Sequence, residues 1–148
     1  SINCHIFFAF SCFILISYSS FRMIKNIMAN ECFDILKTEK SSRLIDVRTS
    51  HEWHNNGYAD LEALGKKVHL ISLTNEDHSP STNFIDQINK LDIKPKNKIF
   101  FICKSGMRSL HAGNLLREDF VTKEIFNVKG GMEYGWKHLG LPVFFNIL

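Results

Sequence analysis

An apolar strand that ends in a cysteine constrains the fold of this chain more than any other feature. Residues 99–102, Ile-Phe-Phe-Ile, form a short apolar run that is typical of a buried strand. Beyond Cys103, apolar residues at helical spacing predict a helix over 107–118. Cys103 is therefore expected at the carboxyl end of a strand, in a short loop that opens into a helix N-terminus. Unpaired N–H groups and the helix dipole stabilise an anion there, which favours a cysteine thiolate.

Strand and helix patterns alternate along the chain from residue 23. The predicted strands are 23–27, 44–47, 68–73, 99–102 and 125–128, and the predicted helices are 29–37, one opening with the Thr49–Glu52 capping box, one opening at Ser79-Pro80, 107–118 and one carrying Trp136. Residues 58–67 are predicted to be a polar connection, and Cys32 is predicted to be a core residue. This alternation predicts an α/β fold with a mostly parallel sheet of about five strands and helices on both faces.

Composition limits the classes of partner and cofactor. A net charge of +3 over 148 residues, with no long Lys/Arg run, gives little support for nucleic-acid binding. The four cysteines (4, 12, 32 and 103) form no CxxC pair and no metal-ligand spacing with histidine, so no metal site and a reduced, cytoplasmic setting are expected. His51 and His54 are interpreted as a surface pair, because no further ligands accompany them.

The amino-terminal segment has a different composition. Residues 1–21 contain no Asp, Glu, Lys or Arg, and 6–18 are almost wholly apolar. That stretch is shorter than the roughly 20 residues of a membrane-spanning helix. Three interpretations stay open: a truncated signal or anchor, a marginal membrane helix, or an extension outside the natural start. Under all three, residues 1–22 are expected to be a hydrophobic amino-terminal extension and 23–148 the domain that follows it. The expected location is cytoplasmic, with membrane anchoring or export through the hydrophobic segment as the alternative.

The neighbours of Cys103 favour a reactive group over a structural one. A cysteine at the end of a buried strand is more often inert packing than a nucleophile. Here Gly106 allows the tight curve that points successive N–H groups inward, and Lys104 and Arg108 add positive charge to the same loop. Inert packing requires none of these three residues, so Cys103 is predicted to be the functional residue.

Three segments together resemble the rhodanese-like sulfurtransferases. They are the loop 103–109 (Cys-Lys-Ser-Gly-Met-Arg-Ser), residues 44–48 (Leu-Ile-Asp-Val-Arg) with Glu52-Trp53, and residues 127–131 (Asn-Val-Lys-Gly-Gly) with Trp136, Gly140, Leu141 and Pro142. Two departures from the family pattern stand out. Lys104 replaces the usual arginine and so loses a fork of donors, and residues 57–67 replace a Gly-His-Ile-x-Gly-Ala segment with a longer connection.

The resemblance implies the rhodanese-like fold and sulfur transfer through a persulfide on Cys103, with no metal or organic cofactor. The implied partners are a small anionic donor such as thiosulfate and a thiol acceptor or sulfur-carrier protein, with a membrane involved only if residues 1–21 act as an anchor. The implied substrate loop is Lys104, Ser105, Gly106, Met107, Arg108 and Ser109. In this interpretation Arg108 orients the loop and binds the donor oxyanion, while Lys104 supplies charge at the rim.

Supporting roles are expected for two residues at the end of the neighbouring strand. Asp46 is expected to brace the loop and Arg48 to form a structural ion pair, with direct catalysis as the alternative. Ser105 and Ser109 either donate hydrogen bonds to the loop or substrate, or cap the following helix. Trp53 and Trp136 are interpreted as packing residues.

Two rival functions remain at this stage. A cysteine phosphatase or arsenate reductase of the related fold also places Cys and Arg around an anion, but with five intervening residues. Four intervene between Cys103 and Arg108, and the smaller loop favours sulfur. The other rival is a non-catalytic rhodanese module with a binding or regulatory role, which loss of the cysteine would mark; Cys103 is present.

Overall fold

Five parallel strands form the centre of the structure, a computed structural model that describes residues 24–116 and 124–146. The strands in chain order are β1 (Lys25–Ile27), β2 (Arg43–Asp46), β3 (Tyr58–Ala59), β4 (His69–Leu70), β5 (Lys98–Ile102), β6 (Glu124–Val128) and β7 (Val143–Phe144). The large sheet has the order β1-β6-β5-β2-β4, and all of its pairs are parallel. The predicted α/β class with a parallel sheet of about five strands is confirmed.

Side chains that alternate along β5 divide the core into two layers. Ile99 and Phe101 point to one face, where Phe84, Ile88 and Leu116 cover them. Phe100 and Ile102 point to the other face and pack with residues that include Leu36 and Trp136. Because β5 is buried on both faces, it has the continuous apolar sequence from which the strand was predicted.

Helices cover both faces of the sheet, as predicted. They are α1 (Ala29–Thr38), α2 (Ser50–Asn56), α3 (Phe84–Asn89) and α4 (Met107–Leu116), with a 3₁₀ turn at Glu62–Leu64 and a π-helix at Gly131–Trp136. The Thr49–Glu52 capping box is confirmed, since each residue's side chain accepts a hydrogen bond from the other's backbone N–H. Cys32 is also confirmed as a core residue. The last two residues of the predicted helix 107–118 lie outside the described residues.

The prediction of a helix that opens at Ser79-Pro80 is wrong. Helix α3 begins at Phe84, after Asn83. The Ser79 hydroxyl donates to Asp77 Oδ1, while the Ser79 carbonyl accepts from Asn75 N at 2.8 Å and Pro80 forms a bridge with Thr74. Local polar side chains thus close a turn where the sequence suggested a helix cap.

Two other segments differ from expectation in extent. The strand predicted over 68–73 is limited to β4, and residues 58–67 are more than a polar connection because they include β3, which pairs antiparallel with β7. Within the described residues, no helix has the length and apolarity needed to cross a membrane. The expectations for residues 1–22 concern a segment outside that description.

Candidate active site

Cys103 follows β5 directly and lies at the carboxyl edge of the sheet. Its side chain is only 1% exposed. Residues 104–106 form the loop, and α4 begins at Met107. The Gly106 N–H donates to the Cys103 sulfur at 3.1 Å. A backbone donor at the start of a helix thus lies against the sulfur, where it stabilises negative charge.

The glycine turn that follows β6 contacts the backbone of the cysteine loop. Gly131 has φ +58, and a Cβ there would lie 2.6 Å from the Lys104 carbonyl oxygen. Met132 N donates to the Cys103 carbonyl at 2.7 Å, and Glu133 N donates to that of Lys104 at 3.1 Å. The first turn of the π-helix therefore fixes the backbone of the cysteine loop, and this contact requires a residue without a side chain at 131.

Arg108 forms a two-pronged ion pair with Glu52. Its Nη1 and Nη2 atoms donate to Oε1 and Oε2 at 2.6 and 2.8 Å. Burial opposes ionisation of Glu52, but the hydrogen bonds and charge of Arg108 outweigh it and lower the pKa of that carboxyl. The same hydrogen bond raises the pKa of Arg108. The arginine is thereby held beside the loop, and its outer nitrogens are already engaged.

Asp46 and Arg48 form a buried pair at the end of β2. Both side chains are 0% exposed, and Arg48 donates to the carboxylate through Nε at 3.0 Å and Nη2 at 2.8 Å. Nη2 also donates to the Gly57 carbonyl at 2.7 Å. Arg48 Nη1 has no hydrogen-bond partner among the described residues. The pair ties the end of β2 to the turn after α2, at the same edge of the sheet as Cys103.

Ser109 connects the cysteine to Asn127 on β6 and, through it, to Asn26 on the edge strand β1. Its Oγ lies 3.3 Å from the Cys103 sulfur and 2.5 Å from Asn127 Oδ1, and Asn127 Nδ2 donates to Asn26 Oδ1 at 2.8 Å. Sequence reasoning did not assign Asn127 or Asn26 to the site. The available signal was a polar residue between Phe126 and Val128, inside an apolar strand.

The remaining predicted loop residues face solvent. Lys104 and Ser105 are exposed, and Met107 is 74% exposed. A cavity of about 420 Å³ opens beside Ser105 and Gly130, and Lys129 and His138 also line it. The structure therefore brings Cys103, Gly106, Arg108 and Ser109 together and leaves the other loop side chains at the rim.

His51 and His54 are both exposed, as predicted, and His51 Nε2 lies 2.8 Å from Asn55 Nδ2. In the described ranges, no group of three or more His, Cys, Asp or Glu side chains is arranged to hold a metal ion.

Comparison with known proteins decides the family. The rhodanese-like domain family matches residues 28–138, which include the cysteine loop, residues 44–53 and the closing motif as far as Trp136. The chain belongs to the rhodanese-like domain family. An uncharacterized protein of Rickettsia rickettsii is 33% identical over 124 residues, covering 80% of this chain and 96% of that protein. A Rickettsia prowazekii relative, also uncharacterized, is 31% identical over 125 residues, covering 81% of this chain and 97% of its own.

Solved structures confirm the fold of this rhodanese-like domain. A crystal structure of a protein from M. tuberculosis has a TM-score of 0.73 and 27% identity, covering 83% of this chain and 98% of that one. The polysulfide-sulfur transferase homodimer of Wolinella succinogenes has a TM-score of 0.64 and 24% identity, covering 83% and 80%. The resemblance inferred from the three sequence motifs is thus confirmed.

Proposed function

We propose that this rhodanese-like protein is a sulfurtransferase that carries sulfane sulfur as a persulfide on Cys103. The observation that supports this most is the Gly106 N–H, 3.1 Å from the Cys103 sulfur at the start of α4. A donor at this position stabilises the attacking thiolate. Membership of the rhodanese-like domain family adds support.

In the first half-reaction, the Cys103 thiolate attacks the outer sulfur of thiosulfate. A Cys103–sulfur bond forms, the sulfur–sulfur bond of the donor breaks, and sulfite leaves with the electron pair. In the second half-reaction, an acceptor thiolate or cyanide attacks the outer sulfur of the persulfide and releases the Cys103 thiolate. Splitting the transfer into two displacements is nucleophilic catalysis and requires no cofactor.

The ion pair of Arg108 with Glu52 limits which groups of the loop can contact the donor in this mechanism. Because Glu52 already binds both Nη atoms, we assign Arg108 the task of holding the loop and supplying long-range positive charge. Direct contact with the donor's sulfonate then falls to the loop N–H groups and to Lys104, which is exposed at the rim. The small donor also fits a loop with four residues between cysteine and arginine.

The same ion pair weighs against phosphatase chemistry. A phosphatase arginine must present its fork of donors to the phosphate oxygens. The outer nitrogens of Arg108 bind Glu52 instead, so phosphoryl binding would first have to break a two-pronged ion pair. A non-catalytic module remains as the alternative function, and the experiment below distinguishes it.

Mass spectrometry after thiosulfate treatment tests the proposal. We expect one added sulfur atom on the peptide that contains Cys103 and its loss on treatment with cyanide. Cys32→Ser is the matched control, because Cys32 is also a buried cysteine of the described fold and should not alter the result. A protein that takes up no sulfur from thiosulfate or polysulfide would indicate the non-catalytic module. Turnover of thiosulfate by Cys103→Ser would overturn the mechanism.

A further inference from the structure

The hydroxyl of Ser109 lies between two possible acceptors. Its oxygen is 3.3 Å from the Cys103 sulfur and 2.5 Å from Asn127 Oδ1. A serine hydroxyl has one proton to donate, although its oxygen can accept two hydrogen bonds. Ser109 therefore cannot donate to the sulfur and to Asn127 at the same time.

Asn26 contacts the end of the Asn127 amide that faces away from Ser109. The two asparagines are register partners on β1 and β6, and Asn127 Nδ2 donates to Asn26 Oδ1 at 2.8 Å. With its nitrogen engaged by Asn26, the amide turns its oxygen toward Ser109 as an acceptor. Asn127 is 4% exposed and Ser109 is 0% exposed, so solvent does not readily replace either partner.

We propose that Asn127 is a positioning residue that directs the Ser109 hydroxyl away from Cys103 and so favours the protonated thiol. This inference rests on the proposed role of Cys103 as the nucleophile. In the resting state the Cys103 S–H donates to Ser109 Oγ, and the Ser109 O–H donates to Asn127 Oδ1. Every member of this buried chain then has a partner.

Forming the thiolate breaks this arrangement. The thiol proton leaves to water, and the anionic sulfur then faces the lone pairs of Ser109. The Ser109 hydroxyl keeps its proton and turns to donate it to the sulfur, which leaves Asn127 Oδ1 without that bond. Asn127 thus opposes the thiolate, while the Gly106 N–H favours it. The balance between these two groups sets how much nucleophile is present before a donor arrives.

Alkylation of Cys103 across a pH series tests this role. Thiolate sulfur displaces iodide from iodoacetamide, so the rate follows the thiolate fraction, and peptide mapping separates Cys103 from the other cysteines. We expect Asn127→Leu, which keeps the side-chain size but removes the acceptor, to lower the pH of half-maximal rate by about one unit. In a Ser109→Ala background the same substitution should have no effect, because Asn127 acts through that hydroxyl.

Several results would overturn the inference: no change, a change to higher pH, or an equal change with and without Ser109. Asn26→Ala, which leaves β6 intact, should produce a smaller change in the same direction, and thermal unfolding verifies that each variant folds. The charged groups at this edge include Arg108, Glu52, Asp46, Arg48, Lys104 and Lys129, and they are the same in every variant. Alkylation requires no sulfur donor, so failure of the proposed sulfur transfer would not be mistaken for failure of this inference.

Discussion

Arg108 and Glu52 are 56 residues apart in sequence, yet their side chains form a two-pronged ion pair with contacts of 2.6 and 2.8 Å. Glu52 is at the same time the third helical residue of the capping box that starts α2. One carboxylate therefore completes a local helix cap and fastens the first turn of α4, which follows the cysteine loop. The ion pair therefore links α2, which follows β2, to α4, which follows β5.

Replacing Glu52 with glutamine is expected to weaken the link between α2 and α4. We expect Glu52→Gln to lower the free energy of unfolding by roughly 1 kcal/mol at pH 7, a value reduced by partial exposure of the pair. Since the ion pair lowers the pKa of Glu52 below 4.5, its stabilisation is present above about pH 4.5 and is lost as the pH falls through the folded-state pKa. Urea unfolding at pH 7 and in the acid range measures this difference between wild type and variant. An unchanged difference at acid pH would contradict it.

Removal of the Asp46 charge is expected to be more damaging. Asp46→Asn leaves Arg48 buried with an unpaired charge, and we expect a loss of about 3–5 kcal/mol in the free energy of unfolding. The control is the double variant Asp46→Leu, Arg48→Met, which removes both charges. We expect chemical denaturation to show the double variant to be more stable than Asp46→Asn. The reverse order would show that the ion pair itself, and not the orphaned charge, dominates.

A methyl group at position 131 is expected to displace the cysteine loop. In Gly131→Ala the new Cβ would overlap the Lys104 backbone, in addition to the strain of φ +58. Gly65→Ala is the matched control, since Gly65 has φ +67 but a Cβ at that position would have no atom within 4 Å. We expect the control to cost about 1–2 kcal/mol of stability, and Gly131→Ala to cost more and also to change the rate of Cys103 alkylation. Equal effects of the two substitutions would show that the contact with Lys104 is unimportant.

Lys104 is expected to affect donor binding through its charge. We expect Lys104→Ala to raise the KM for thiosulfate about two- to fivefold, the range of an exposed ion pair, with a smaller effect on kcat. The increase should shrink at high salt because screening weakens the interaction of exposed charges. Lys104→Arg keeps the charge, and Lys96→Ala removes an exposed lysine from a turn before β5, so both serve as controls in steady-state assays. A KM unaffected by Lys104→Ala would remove it from the donor site.

Local signals in the sequence were reliable where neighbouring residues decide the structure. The capping box at Thr49, the buried strand before Cys103 and the helix after it all depend on residues within a few positions of one another. The helix start predicted at Ser79-Pro80 was wrong because other polar residues nearby bind the same backbone. Asn75 and Asp77 offered that backbone a competing set of hydrogen bonds, and the turn formed instead.

The sequence by itself determined the order of the five strands of the large sheet, the place of Cys103 at a strand end and the family. Those properties follow from apolar periodicity and from short motifs. Only the tertiary structure decided that Glu52 forms an ion pair with Arg108 and that Asn127 lies within hydrogen-bond distance of Ser109. These partners are far apart in the chain, and they meet because parallel strands bring their carboxyl ends to one edge of the sheet.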